Sequence, residues 1–94
     1  MSHVLSGEGT KASRLNLPAG FYVVEMAVQN EEEDNFIVEI EPVEELGCET
    51  LANKIVGSWK GSVTLRVGPD AHPEGRQVLS VDSSGTWEVK FLRE

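Results

Sequence analysis

Apolar and polar side chains change places residue by residue through most of this chain, and a period of two is the mark of a strand with one buried face. The clearest run is residues 20–28. There Tyr22, Val24, Met26 and Val28 make an unbroken apolar face, while Phe21, Val23, Glu25 and Ala27 make a mixed one. Residues 35–41 repeat the pattern, with Phe36, Val38 and Ile40 inward and Glu39 and Glu41 outward. Three later segments follow suit. Val63, Leu65 and Val67 share one side of residues 62–67, Leu79 and Val81 one side of 77–82, and Trp87, Val89 and Phe91 one side of 86–91. Residues 13–17 read as a further strand that Pro18 ends, since proline cannot donate to a ladder.

The connections complete the expectation. The polar stretch 29–34 reads as a hairpin loop that pairs 20–28 with 35–41. Ser83-Ser84-Gly85 reads as a short hairpin turn, with Gly85 supplying the positive φ that such turns need. Between Pro42 and Val56 two readings compete. Val43, Leu46, Leu51 and Ile55 would share a helical face, but Gly47 interrupts it. Leu51, Asn53 and Ile55 also alternate, and a loop followed by a short strand is the preferred reading. Residues 68–75 are rich in breakers and irregular. The sum is an all-β chain, an antiparallel two-sheet β-sandwich of jelly-roll or Ig-like type with about seven to eight short strands. Two facing sheets are expected because a lone sheet leaves one side wet. The 94 residues suit one domain, 1–94, with 1–12 a loosely ordered N-terminal arm.

Charge removes several classes of function. The formal charge is −8, and no Lys or Arg occurs from Leu15 to Asn53, a window that holds ten of the sixteen acids. Nucleic-acid binding needs clustered cations to neutralise phosphates, so it is not expected. An anionic membrane surface is disfavoured for the same reason, and no apolar run is long enough to insert in a bilayer. The first residues lack the basic and apolar regions of a signal peptide. The protein is therefore expected in the cytoplasm, or outside it if a leader has been removed. One cysteine, Cys48, allows no internal disulfide, and with Gly47 and Glu49 beside it a buried or inert thiol is expected.

Few residues offer chemistry. Glu31, Glu33 and Asp34 in the acidic run carry the oxygen ligands that calcium prefers, although the spacing and the glycine of a helix-loop-helix calcium loop are missing. A solvated tip is the plainer reading, and calcium is the only cofactor the sequence suggests. Trp59 and Lys60 open a strand. An exposed Trp59 would stack on a sugar or anchor a protein, yet it shares parity with Val63, Leu65 and Val67 and equally extends the core. With only His3 and His72 a multi-histidine metal site is not available, and no G-x-S-x-G nucleophile elbow occurs in the sequence. His72, before Pro73 in a loop, reads as a surface residue. No catalytic residue is assigned.

The run Leu17-Pro18-Ala19-Gly20-Phe21-Tyr22-Val23-Val24-Glu25-Met26 resembles the opening aliphatic-x-Ala-Gly-x-Tyr strand of small sandwich modules in bacterial and archaeal surface and secreted proteins. Residues 35–40, 51–57, 59–63 and 85–89 are similar to the strands that follow in such modules. The layout is like that of the pre-peptidase C-terminal type. The resemblance spans about residues 15–91 and implies an accessory, non-catalytic module. The leading expectation is thus a non-enzymatic binding module that contacts a protein or glycan through loops or one sheet face. A self-associating structural unit is the second, motivated by the extra apolar face around Phe21 and Val23. A small carboxylate-dependent hydrolase is the third.

Overall fold

The computed structural model describes residues 2–41, 48–68 and 77–93. They form six strands and no helix: β1 (Ser2–Glu8), β2 (Lys11–Leu15), β3 (Gly20–Glu41), β4 (Glu49–Val67), β5 (Gln77–Ser83) and β6 (Thr86–Arg93). All pairings are antiparallel and lie in one sheet, ordered β1-β6-β3-β5-β2, with β4 on the other side of β3. β6 pairs with residues 22–29 of β3 and β5 with residues 36–41, so β5 and β6 run end to end along one flank. β1 and β2 line up end to end against them in turn. Four long passes result: β1 with β2, β5 with β6, β3, and β4.

These passes are too long to be straight. The 22 residues of β3 would reach roughly 70 Å at about 3.3 Å per residue, but the longest dimension of the molecule is 39 Å. The sheet bends across its middle. The register against β4 slips between Gln29 and Asp34, which leaves several residues of β3 facing one of β4. In the neighbouring passes the bend falls at Gly9–Thr10 and Ser84–Gly85. Inside it, Asn30 is buried and ties three passes together. Its Nδ2 donates to the Val56 carbonyl at 2.9 Å, and its Oδ1 accepts from the Ser83 hydroxyl at 3.1 Å. Ser83 Oγ accepts in turn from the Gly85 N–H at 3.2 Å. Gly9, in the left-handed region at φ 73°, donates its N–H to the Gly85 carbonyl at 2.9 Å and accepts from Trp87 Nε1 at 3.0 Å. A second irregularity, between Val38 and Glu39, turns both Leu51 and Ala52 inward.

One core serves both halves. Tyr22, Val24, Met26, Val28, Phe36, Val38 and Ile40 of β3 are buried, joined by Leu65 and Val67, Leu79 and Val81, and Trp87, Val89 and Phe91. The even positions of β3 stay inward on both sides of the bend, so one face of the sheet supplies the whole core. Gln77 is fully buried and acts as a backbone surrogate. Its Oε1 accepts from the Leu17 N–H at 2.7 Å and its Nε2 donates to the Leu17 carbonyl at 3.2 Å, which secures the connection into β3.

Several expectations change. In place of seven to eight short strands in two sheets, six strands make one bent antiparallel sheet. Cut at the bend, its four passes give eight segments, and the alternation marks those segments without revealing that the backbone runs straight through. Residues 20–28 and 35–41 do not pair; they are two halves of β3, because the acidic stretch lacks a turn-forming glycine and stays extended. Residues 77–83 and 86–93 likewise do not form a hairpin. Gly85 is needed for space rather than for φ, as any Cβ there would strike the Gln29 carbonyl. The expected arm contains β1, paired along its length with β6; short polar residues hide this until the partner strand is in place. Of residues 42–56, the described part from Glu49 onward is strand, whereas 42–47 lie outside the described residues, as do 69–76.

Candidate functional site

The bend divides the sheet into two half-sheets whose inner faces share the core and whose outer faces differ. The first comprises β1, β6, the start of β3 and the end of β4. Register places its outer residues in rows: Leu92, Val23 and Thr64; then Val4, Lys90, Glu25 and Ser62; then Ser6, Glu88, Ala27 and Lys60. Phe21, opposite Arg66, stands at one end, and Glu8, Thr86, Gln29 and Ser58 close the other. Phe21 is 58% exposed and Val4 54%, with half-buried Val23 and Leu92 between them. A shallow groove runs over Ala27, whose small side chain leaves room between Lys60 and Glu88.

Electrostatically this face is balanced. Among the described residues it carries three acids, Glu8, Glu25 and Glu88, and three bases, Lys60, Arg66 and Lys90, in a chain of net charge −8. Among the described residues, the outer face of the other half sets Glu39, Glu41 and Asp82 against Arg14 alone. The bend adds the exposed run Glu31, Glu32, Glu33 and Asp34.

The residues singled out from sequence are dispersed. Trp59 and Lys60 are neighbours in β4 and so point to opposite faces. Trp59 is half-buried against the core, tilted toward Phe36 with ring centroids 6.0 Å apart, and its indole lies across Gly61. Lys54 Nζ sits 5.2 Å from the ring centroid, a cation–π arrangement. Lys60 belongs to the outer face. Glu31, Glu33 and Asp34 are exposed at the bend, where Asp34 Oδ1 accepts from the Asn35 N–H at 2.7 Å. No three His, Cys, Asp or Glu side chains converge as metal ligands among the described residues. Cys48, expected buried or inert, is exposed. Its thiol is pushed above the ordinary value by desolvation and then by the carboxylates of Glu39, Glu41 and Glu49. Its Sγ lies 3.8 Å from Glu39 Oε2 as a donor. His3 on β1 has its Nε2 shut off from solvent without a hydrogen-bond partner among the described residues. His72 lies outside them.

Sequence reasoning found Phe21 and Val23 but missed Val4 and Leu92. The signal was present in each case: an apolar residue beside another apolar residue, Leu5 or Phe91, breaks a strict alternation and puts grease on the outer face. Comparison with known protein families, curated proteins and solved structures finds no match for this chain. No helix among the described residues is long and apolar enough to cross a membrane.

Proposed function

We propose that this chain is a non-enzymatic binding module that docks a protein on the outer face of its first half-sheet. The observation that carries this reading is the exposure of Phe21 and Val4 beside Val23 and Leu92, on a face whose described charges cancel. Folding does not need these side chains on that side, since the core is complete without them. A large aromatic surrounded by smaller apolar groups and a charged rim is the anatomy of a protein-docking patch. The resemblance to accessory sandwich modules agrees with this use, in which the bent sheet acts as a sandwich would, one face folding and the other recognising.

The alternatives draw less support. A sugar-stacking role for Trp59 needs a free ring face, whereas the indole is laid against Gly61 and topped by Lys54. A carboxylate hydrolase needs an enclosed acid, and every described Asp and Glu is exposed. The test is a photo-crosslinking residue introduced at position 21 and, separately, at position 80 on the opposite outer face, in the protein expressed in its native cells. Polypeptide adducts are expected from position 21 and not from position 80. Adducts at neither position, or equally at both, would overturn the reading.

A further inference from the structure

We infer that the partner of this face is a second copy of the same chain, stacked face to face about a two-fold axis that runs along the strands between β3 and β6. The inference rests on the docking face proposed above and adds its occupant. Its first support is charge. Two copies of a chain at −8 repel one another over the acidic bend and the acidic half, but not over a face whose described residues bring three acids and three bases.

The second support is self-complementarity, which an isologous contact demands because each residue pair must occur twice. The axis exchanges β6 with β3 and β1 with β4 while keeping the rows. In the row of Val23 and Leu92, each Leu92 then lies over Val23 of the other copy. In the next row Lys90 lies over Glu25, and Val4 over Ser62. In the third, Glu88 lies over the shallow groove at Ala27, within reach of the second copy's Lys60. Among the described residues no row sets like charges over each other. Opposite charges that pair across the axis supply specificity, and Phe21, Val23 and Leu92 supply the apolar burial.

The sheet edges are poorer candidates for the same partner. Along β4 stand Lys54, Lys60 and Arg66 with Gly57 and Gly61, a charged and weakly strand-forming edge. The opposite edge is broken at Gly9 and Thr10 into strands of 7 and 5 residues. The face is also limited in size. Four strands about 4.8 Å apart and some nine residues long at about 3.3 Å each offer roughly 500 Å² per copy. That sits at the lower end of specific interfaces, so the dimer is weak and concentration-dependent, in the micromolar range.

Sedimentation velocity over a dilution series tests this, with three variants made on the full chain. Phe21→Ser removes an exposed side chain and is expected to weaken dimerisation about tenfold while circular dichroism and melting stay as in the parent. Lys90→Glu is expected to weaken it by a similar factor. Combining Lys90→Glu with Glu25→Lys restores it. The decisive arm mixes the parent with that charge-swapped double variant, one of them fluorescently labelled. Each should self-sort into its own dimers, since mixed pairs set Lys over Lys and Glu over Glu. A purely intramolecular Lys90–Glu25 effect would not produce sorting. A parent that stays monomeric at several hundred micromolar, or free mixing of the two forms, overturns the second-copy assignment. In that event crosslinks from position 21 to a different polypeptide would leave the docking face standing, whereas their absence would remove it as well.

Discussion

The two half-sheets are built from the same two long strands, yet they face solvent differently. Inward, they cannot be told apart: Tyr22, Val24 and Met26 in the first half have their counterparts in Phe36, Val38 and Ile40 in the second. Outward, the first half shows Phe21, Val4 and a balanced set of charges, and the second shows Ser80, Glu39, Glu41 and Asp82. Folding constrains only the inner set, because only there does burial remove apolar area from water. Folding does not call for the large exposed Phe21 and Val4 on one outer face, and that is what the proposed docking role explains. On the second half Ile55 is 70% exposed with half-buried Ile37 a row away on the same face, but no aromatic stands there among the described residues.

The sharpest break of this comparison is a pair of phenylalanine truncations. Phe36→Ala, inside, should cost about 3–5 kcal/mol, while Phe21→Ala, outside, should stay within about 0.5 kcal/mol. Urea denaturation of both variants checks it, at a concentration below that of any self-association. Equal losses would mean that Phe21 belongs to the core and that the two faces are not functionally distinct.

The next contrast lies on the seam between the halves. Gly85→Ala drives a methyl group into the Gln29 carbonyl and toward Asn30 Oδ1, and should cost about 2–4 kcal/mol by breaking the Asn30–Ser83 tie. Gly57, opposite on β4, has open space around its missing side chain. Its alanine variant should hold or gain about 0.5 kcal/mol, as alanine has less freedom to lose on folding. Thermal melts of the two variants read the difference directly.

Smaller effects separate the halves by pH. Tyr22, buried in the first half with its hydroxyl donating to the Pro18 carbonyl, is raised above its ordinary 10.0 by burial, against a lowering by Arg93. The native state thus holds its proton longer than the unfolded chain does. That contribution to stability is complete below pH 10, and it fades as pH rises past 10 through the higher native value. Tyr22→Phe should remove this alkaline slope while keeping the fold, as followed by denaturation from pH 8 to 11. In the second half, Cys48 should react with iodoacetamide at a higher pH midpoint than a free thiol, near 8.5. Glu39→Gln should move that midpoint down with no change in melting.

How legible was all this beforehand? The alternation marked nearly every buried residue, and it did so because sidedness is a local property of an extended chain. Chain path was less legible. The stretch 29–34 and the step Ser83-Ser84-Gly85 both look like turns by composition, and whether polar residues turn or continue depends on partners elsewhere in the chain. Asn30 has no feature that separates it from Asn35 in sequence; only the approach of Val56 and Ser83 makes it a buried tie. The proposed docking face was half visible, in Phe21 and Val23. Val4 and Leu92 joined it only when β1 paired with β6 and β6 with β3.

By itself, then, the order of residues determined which side of each strand is greasy, the antiparallel all-β character, and the excess negative charge with its gap in cations. Those follow from the two-residue period and from composition, which need no partner. The tertiary structure decided that four bent passes replace short strands in separate sheets, that a buried asparagine and a forced glycine hold the bend, and that opposite charges from four strands meet on one face. These are relations between residues up to about ninety positions apart, and only the register of paired backbones brings them together.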